Sequence, residues 1–148
     1  MSTPLFLSNN FVMKALQEKI SLSPMKLQKL IYFTYRDYLQ STDNQLFSEP
    51  ISAWKFGPVV ESVYNHFKPF GSRSINKFYK NSAGEVCVLA ESSEVFGNVI
   101  RLIWGKYRTF SGIYLSGLTH KPGTAWHKAW VSNAIYLKDD DIKNEQPE

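Results

Sequence analysis

The chain has 148 residues, of which 43% are hydrophobic and 15% aromatic, and its net charge is +4. That length predicts one domain, and that composition excludes an intrinsically disordered protein. The single cysteine excludes an intramolecular disulfide, and every apolar stretch is far shorter than the roughly 20 residues that span a bilayer. We therefore expect a soluble cytoplasmic protein with no membrane association.

The charge is unevenly distributed along the chain. Residues 138–148 contain two lysines and five carboxylates, a net charge of −3, which leaves +7 on the rest of the chain. A mildly basic body suits nucleic acid or an acidic protein as a partner, and it equally suits ordinary solubility. We predict one domain over residues 1–137 and an acidic, flexible tail over residues 138–148.

Two helices are predicted near the start of the chain. Ser8 or Asn9 would cap the first, because both side chains accept hydrogen bonds from free backbone amides. Ser23-Pro24 is typical of an N-cap followed by a proline at the first helical position. The second helix is predicted to run to about Leu39.

The second helix is the clearest amphipathic element. Its predicted buried stripe falls at helical spacing, and Lys29 and Arg36 lie nearly opposite that stripe with Lys26 at its margin. This pattern predicts a basic face turned toward solvent. The predicted buried stripe consists of Leu27, Leu30, Ile31, Thr34 and Tyr38.

Extended structure is predicted next, over residues 49–56, where apolar side chains alternate. Gly57-Pro58 is predicted to end it and to begin a third helix, which Pro69 and Gly71 stop. A short strand at residues 86–89 follows, with hairpin pairing as a further possibility.

Three more helices complete the predicted fold. Ser92 or Ser93, Ser111 and Thr124 are suitable caps, and apolar residues at helical spacing follow each of them. The chain is therefore predicted to be mainly α: a compact single-domain bundle of five to six helices. A small β-hairpin or a short two- to three-stranded element is expected beside it.

The sequence offers little that indicates catalysis or metal binding. The histidines are not joined by the spacings of zinc motifs, and phosphate-binding loops are missing from the sequence. Cys87 lies in an apolar run and is expected to be a structural thiol. Glu49 and Glu61 are expected to stabilise a helix start rather than to act as an acid–base pair. We predict no enzyme activity, no metal and no cofactor.

Two aromatic segments flank predicted turns. Residues 54–58 read Trp-Lys-Phe-Gly-Pro, and residues 120–126 read His-Lys-Pro-Gly-Thr-Ala-Trp. Rings held rigidly beside loops suit recognition of a partner, because ordering them costs little entropy. The alternative is that both tryptophans wedge helices together, and the two interpretations are compatible.

Three segments, taken together, resemble one protein family. They are residues 25–33, residues 49–64, and residues 118–120 followed by Trp126 and Ala129. Their order and spacing are similar to those of the Panacea domain, which also occurs in SocA-like antitoxins and phage-associated GepA-like proteins. The resemblance covers about residues 8–130, and its most specific part is the W-x-x-G-P-V core of the middle segment.

The resemblance implies a helical antitoxin, in many cases encoded by a phage or other mobile element. It implies direct binding of a cognate protein toxin from an adjacent gene, and the SocA-like branch is associated with delivery of the toxin to the ClpXP protease. No cofactor is implied. The residues predicted to contact the partner are Lys26, Gln28, Lys29, Trp54, Phe56, Gly57, Pro58, Tyr64, Thr119, His120 and Trp126.

Two other classes of function stay open. In a regulatory protein of a phage or mobile element, Lys26, Lys29 and Arg36 would contact nucleic acid, with an affinity that falls steeply with salt. In an enzyme, His120 would act with Glu61 or Glu49, although no motif indicates a reaction type. We rank both below an antitoxin that binds a protein.

Overall fold

The computed structural model describes residues 3–146, so Met1, Ser2, Pro147 and Glu148, at the ends of the predicted domain and tail, lie outside it. Within residues 3–146, seven α-helices and one antiparallel hairpin confirm the mainly α class. No helix in that part of the chain is both long and apolar enough to cross a membrane. The helices are α1 (Thr3–Glu18), α2 (Pro24–Thr42), α3 (Glu61–Phe67), α4 (Glu94–Tyr107), α5 (Gly112–Thr119), α6 (Ala125–Val131) and α7 (Asp139–Lys143).

Helix α2 lies at the centre of the fold and packs against α1, α3, α4, α5 and α7. It begins as predicted, with the Ser23 hydroxyl accepting a hydrogen bond from the Lys26 amide at 3.2 Å and with Pro24 at the first position. It ends three residues after Leu39, where Asp43 takes a left-handed conformation with φ of 61°. Local capping chemistry therefore determines both ends of this helix.

The predicted basic face of α2 is wrong. Lys26, Lys29 and Arg36 are 5%, 1% and 1% exposed, because other elements surround the helix. The Lys26 ammonium donates to the carbonyls of Ser21 and Arg108, and burial lowers its pKa. These cations therefore lie in the interior of the fold, where a buried charge needs hydrogen-bond or ionic partners.

The predicted cap of α1 is also wrong, because the helix begins at Thr3. Asn9 and Asn10 are fully buried within it and bind a distant segment. The Asn9 side chain accepts a hydrogen bond from the Tyr79 amide at 2.8 Å and donates to the Tyr79 and Cys87 carbonyls, both at 2.9 Å. The same asparagine side chain can accept at a helix cap or bridge to a distant backbone segment, so the sequence pattern does not distinguish the two roles.

Residues 71–93 contain neither a helix nor a strand, so the predicted strand at 86–89 is wrong. This segment lies against α1, and Asn10 holds its far end by accepting from the Leu89 amide and donating to the Leu89 carbonyl, both at 2.9 Å. Side-chain amides satisfy backbone groups here that a strand partner would otherwise satisfy.

The hairpin comprises β1 (Ser52–Trp54) and β2 (Gly57–Val59), with Trp54 opposite Gly57. The predicted helix start at Gly57-Pro58 is therefore wrong, since these residues form a strand and α3 begins at Glu61. The backbone of residues 135–137 runs along β1, and the Ala53 amide donates to the Ile135 carbonyl at 2.9 Å.

The later helices begin close to their predicted caps. The hydroxyls of Ser111 and Thr124 accept hydrogen bonds from Tyr114 and His127 amides, each at 3.1 Å. Ser93 occupies the cap position of α4 without a side-chain hydrogen bond. The predicted apolar face of α4 is buried in the core: Phe96, Val99, Ile100, Ile103 and Tyr107.

The segment predicted as a flexible acidic tail instead packs against the domain over residues 138–146. Residues 139–143 form α7, whose Ile142 is 1% exposed, and Glu145 beyond it is 4% exposed. One oxygen of the Glu145 carboxylate accepts from Arg36 Nη1 at 3.0 Å, and the other accepts from the Ala125 amide at 2.9 Å. A buried charge of opposite sign holds this segment, and no composition rule reveals such a partner.

Candidate functional site

A groove of about 710 Å³ opens between the N-terminal part of α2, the hairpin and α3. We call it the aromatic groove, because four aromatic side chains of different exposure line it together with aliphatic side chains. Its lining residues are Pro24, Met25, Gln28, Lys29, Trp54, Lys55, Phe56, Val59, Val63, Tyr64, Phe67, Lys68 and Gly71.

The aromatic rings of the groove are held by the hairpin and α3. Trp54, at the end of β1, meets Tyr64 of α3 edge to face, with ring centroids 4.8 Å apart. Phe56, in the turn between the strands, is 59% exposed, and Tyr64 is 41% exposed. Exposed rings on ordered elements make large contact areas available at low entropic cost.

Lys29 lies at the buried side of the groove. Its ammonium donates one hydrogen bond, to the Pro58 carbonyl at 3.3 Å. Burial lowers the pKa of Lys29 to about 7, because the charged form loses its hydration there. Lys55 and Lys68 also line the groove, and both of these side chains are exposed.

Gln28 fastens the hairpin to α2. Its side chain donates to the Val60 carbonyl at 3.0 Å and accepts from the Val60 amide at 2.9 Å. This pair of hydrogen bonds imitates a strand partner at the point where β2 ends. Gln28 therefore determines how far the hairpin stands from α2, and with it the width of the groove.

Gly57 allows the hairpin to approach α2 closely. Its φ is +117°, and a Cβ placed on it would lie 2.8 Å from Lys29 Cε and 2.8 Å from Thr119 Oγ1. Both the backbone conformation and the contact therefore require glycine.

We expect Gly57→Ala to lower the free energy of unfolding by about 2–3 kcal/mol, through backbone strain and overpacking. Gly84→Ala is the matched control, because Gly84 also has a positive φ, of 77°, but has open space around it. Urea unfolding of the two variants isolates the steric contribution. Equal losses in the two variants would show that the close contact at Gly57 is unimportant.

Thr119, His120 and Trp126 support the hairpin from the side of α5 and α6. The indole Nε1 of Trp126 donates to the Trp54 carbonyl at 2.7 Å. His120 Nδ1 lies 2.5 Å from the Ser116 carbonyl oxygen, and its Nε2 lies 2.9 Å from the Lys55 carbonyl oxygen. These hydrogen bonds hold the hairpin against α5 and α6, and the Trp126 side chain is 4% exposed.

The structure brings only part of the predicted partner-binding set together at the groove. Gln28, Lys29, Trp54, Phe56 and Tyr64 line it. Gly57 and Pro58 shape the hairpin, the α5–α6 residues lie behind it, and Lys26 lines a separate groove nearby. The groove is also lined by four residues that were not predicted as site residues: Lys55, Val63, Phe67 and Lys68. The spacing of Val63 and Phe67, four residues apart on α3, would have indicated that they share one face of the helix.

The residues of the hypothetical enzyme site are engaged elsewhere. Glu49 accepts hydrogen bonds from the amide and hydroxyl of Ser62, at 2.9 and 2.6 Å, in the first turn of α3. Glu61 accepts from the Ser52 hydroxyl at 2.8 Å. The helix-stabilising interpretation of Glu49 is thereby confirmed, since a carboxylate binds free amides at a helix start.

Within residues 3–146, no group of three or more His, Cys, Asp or Glu side chains lies close enough together to hold a metal ion. Cys87 is half-buried, and its thiol accepts a 3.7 Å contact from the Asn81 amide. The groove is therefore the feature of the described residues that suits recognition best.

Comparison with known proteins relates this sequence to a family. The family model described as "Antitoxin SocA-like, Panacea domain" matches residues 27–127, which include α2 from Leu27, the hairpin and the start of α6. The chain is 27% identical over 124 residues to "Antitoxin SocA" of Caulobacter vibrioides (strain NA1000 / CB15N), which is 80% of this chain and 65% of that protein. It thus spans less than two thirds of the length of this curated relative.

No solved structure matches the chain significantly. The family model, however, covers more than half of the chain and all but Lys26 of the residues predicted from the resemblance. It also contains the hairpin, with its close approach at Gly57 and its aromatic turn. The chain therefore belongs to the SocA-like antitoxins with a Panacea domain.

Proposed function

We propose that this chain is an antitoxin that neutralises a cognate protein toxin by binding it directly, with the aromatic groove as the contact surface. The observation that carries the proposal is the exposed aromatic rim, formed by Phe56 and Tyr64, inside the region that the family model matches. Aromatic side chains at the centre of an interface commonly dominate its binding energy. The hairpin and α3 hold these rings in place before any partner arrives, which reduces the entropic cost of association.

The test is co-expression with the protein encoded by the adjacent gene, followed by growth measurement and purification of the complex. We expect rescue of growth and a stoichiometric complex. Phe56→Ala and Tyr64→Ala are each expected to weaken binding by about tenfold or more, because each removes an exposed ring from the groove. Tyr136→Ala is the matched control, since Tyr136 is 45% exposed and lies outside the groove.

Two results would contradict different parts of this proposal. Absence of both a complex and growth rescue would exclude neutralisation of that protein. A complex that forms equally well with Phe56→Ala, Tyr64→Ala and the control would place the toxin on another surface. Circular dichroism of each variant separates lost contact from lost folding, and all three substituted side chains are exposed.

The same cells distinguish two modes of neutralisation. If the antitoxin also delivers the toxin to the ClpXP protease, the half-life of the toxin falls when the antitoxin is present. If it acts by sequestration alone, the toxin persists in an inactive complex. A chase of labelled toxin, with and without ClpX, measures the difference.

The structure does not support nucleic-acid binding by α2, because the cations of that helix are buried. Phosphate contacts need accessible cations, and the Lys26 and Arg36 side chains are 5% and 1% exposed and already bonded to groups of the fold. A protein partner agrees better with the apolar wall of the groove and its exposed aromatic rim.

A further inference from the structure

We infer that the aromatic groove takes an acidic, hydrophobic peptide segment of its partner, with apolar side chains on the groove wall and a carboxylate at Lys29. This inference rests on the proposed function for the source of the segment, the toxin. Three features of the groove indicate the chemistry of the segment. They are the charges of its lining residues, the single hydrogen bond of the buried Lys29 ammonium, and the presence of a second groove beside it.

The charge of the groove has one sign. Lys29, Lys55 and Lys68 line it, and no aspartate or glutamate within residues 3–146 does so. Apolar and aromatic side chains form most of the remaining wall. Such a surface attracts acidic groups and repels basic ones, so electrostatics select the partner while the apolar wall supplies the affinity.

Lys29 is the group that most needs a partner. Its side chain is 1% exposed, yet its ammonium, with three donor positions, makes one hydrogen bond within the described chain, of 3.3 Å. The Pro58 carbonyl and Gly57 lie beside this ammonium, and neither is acidic. A carboxylate from a bound segment would supply the missing opposite charge, and it would favour the charged form that burial disfavours.

The length of the surface favours a peptide over a small acid. A second groove of about 690 Å³ adjoins the first and shares Met25 and Gly71 with it. Lys26 and Arg108 line that groove, but Lys26 is bonded to backbone carbonyls and Arg108 lies 3.6 Å from Glu18, so the accessible part of the groove is apolar, with Ile113 79% exposed. The two adjoining grooves together offer a longer surface, which suits an extended chain with several side chains in contact.

The experiment is selection from a phage-displayed random-peptide library on the full chain, with counter-selection on Lys55→Glu/Lys68→Glu. Selected peptides are then synthesised, and their affinities are measured by fluorescence anisotropy. We expect enrichment of Asp or Glu beside Leu, Ile, Phe, Tyr or Trp, and affinity about tenfold or more lower in the double variant. Lys29→Met should weaken binding as well, because it removes the buried charge.

Lys77→Glu/Lys80→Glu is the matched control. It makes the same change in net charge, at exposed lysines that line neither groove. Binding to this control should equal binding to the unaltered chain. Enrichment of neutral or basic peptides, equal loss in both double variants, or no enrichment at all would overturn the inference. The inference would also be overturned if dodecanoate, single-stranded DNA or a second copy of the chain bound in the groove and no peptide did.

The same variants separate this inference from the proposed function. If the toxin binds Lys55→Glu/Lys68→Glu as tightly as the unaltered chain, the inference fails and neutralisation by direct binding stands. If acidic, hydrophobic peptides bind the groove but no complex with the toxin forms, the peptide chemistry stands and the proposed function fails for that protein.

Discussion

Glu145→Ala is expected to lower the free energy of unfolding by about 3–5 kcal/mol, the range for breaking a buried ion pair. Glu145 is 4% exposed, and its carboxylate accepts hydrogen bonds from Tyr32 OH at 2.8 Å, the Ala125 amide at 2.9 Å and Arg36 Nη1 at 3.0 Å. Removal of the carboxylate leaves a guanidinium that is 1% exposed with one charged partner fewer, and it removes an acceptor at the first residue of α6.

Asp140→Ala is the control for this prediction. Asp140 is an exposed carboxylate in the first turn of α7. Its removal loses only a favourable charge at the helix start, so the free energy of unfolding should fall by less than about 1 kcal/mol. Equilibrium unfolding in urea measures both variants. Since Arg36 and Glu145 share one ion pair, Arg36→Met combined with Glu145→Ala should cost less than the sum of the single changes. A Glu145 variant as stable as the Asp140 variant would show that the segment is not held by this network.

Lys29→Met is expected to raise the free energy of unfolding at pH 6 by an amount on the order of 4–5 kcal/mol, from the lowering of the Lys29 pKa from 10.5 to about 7. The folded state disfavours the charged amine because it is 1% exposed. Methionine fills a similar volume without a charge, so the variant avoids the penalty and keeps the packing.

The stability difference between the variant and the unaltered protein should depend on pH. Between pH 7 and pH 10.5 the unfolded chain binds a proton at Lys29 that the folded chain has released, so stability of the unaltered protein rises with pH in that window. The penalty is fully present below pH 7. The advantage of the variant should therefore shrink by about 2 kcal/mol between pH 7 and pH 9.

Unfolding of both proteins at several pH values tests this directly, because the difference between them cancels the contributions of other titrating groups. Lys80→Met, at an exposed position, should show no such trend. A constant difference between the Lys29 variant and the unaltered protein from pH 6 to pH 9 would contradict a lowered pKa. Acidic peptides that bind the groove should reduce the difference, because they pair with the charged amine.

Short-range signals in the sequence predicted the elements that depend on neighbouring residues alone. Ser23, Ser111 and Thr124 cap the helices they were expected to cap, since a cap needs only a hydroxyl and an amide two or three positions later. The apolar spacing from Phe96 to Tyr107 predicted the buried face of α4 for a similar reason.

Predictions failed where a polar side chain has its partner far along the chain. Asn9 has the chemistry of a cap, but its partners are Tyr79 and Cys87. The Lys26 and Arg36 side chains lie on the polar side of a helical wheel, yet α2 is surrounded by helices. A helical wheel distinguishes one face of a helix from another. It does not show whether other helices of the fold cover the polar face.

The candidate site shows the same division. The resemblance identified the hairpin residues and the LQK segment of α2, but not which of them meet. Tertiary structure placed Trp54, Phe56 and Tyr64 around one groove and assigned Thr119, His120 and Trp126 to its support. Lys68 joined the groove only because α3 folds against α2.

The sequence by itself determined the mainly α class, the starts of the helices at Ser23, Ser111 and Thr124, and membership of the SocA-like family. These depend on local hydrogen bonding, periodicity and motif order. Only the tertiary structure decided which cations are buried, that Glu145 completes the core and where a groove opens. Burial of a charge depends on partners brought together from distant positions, and that information exists only once the chain is folded.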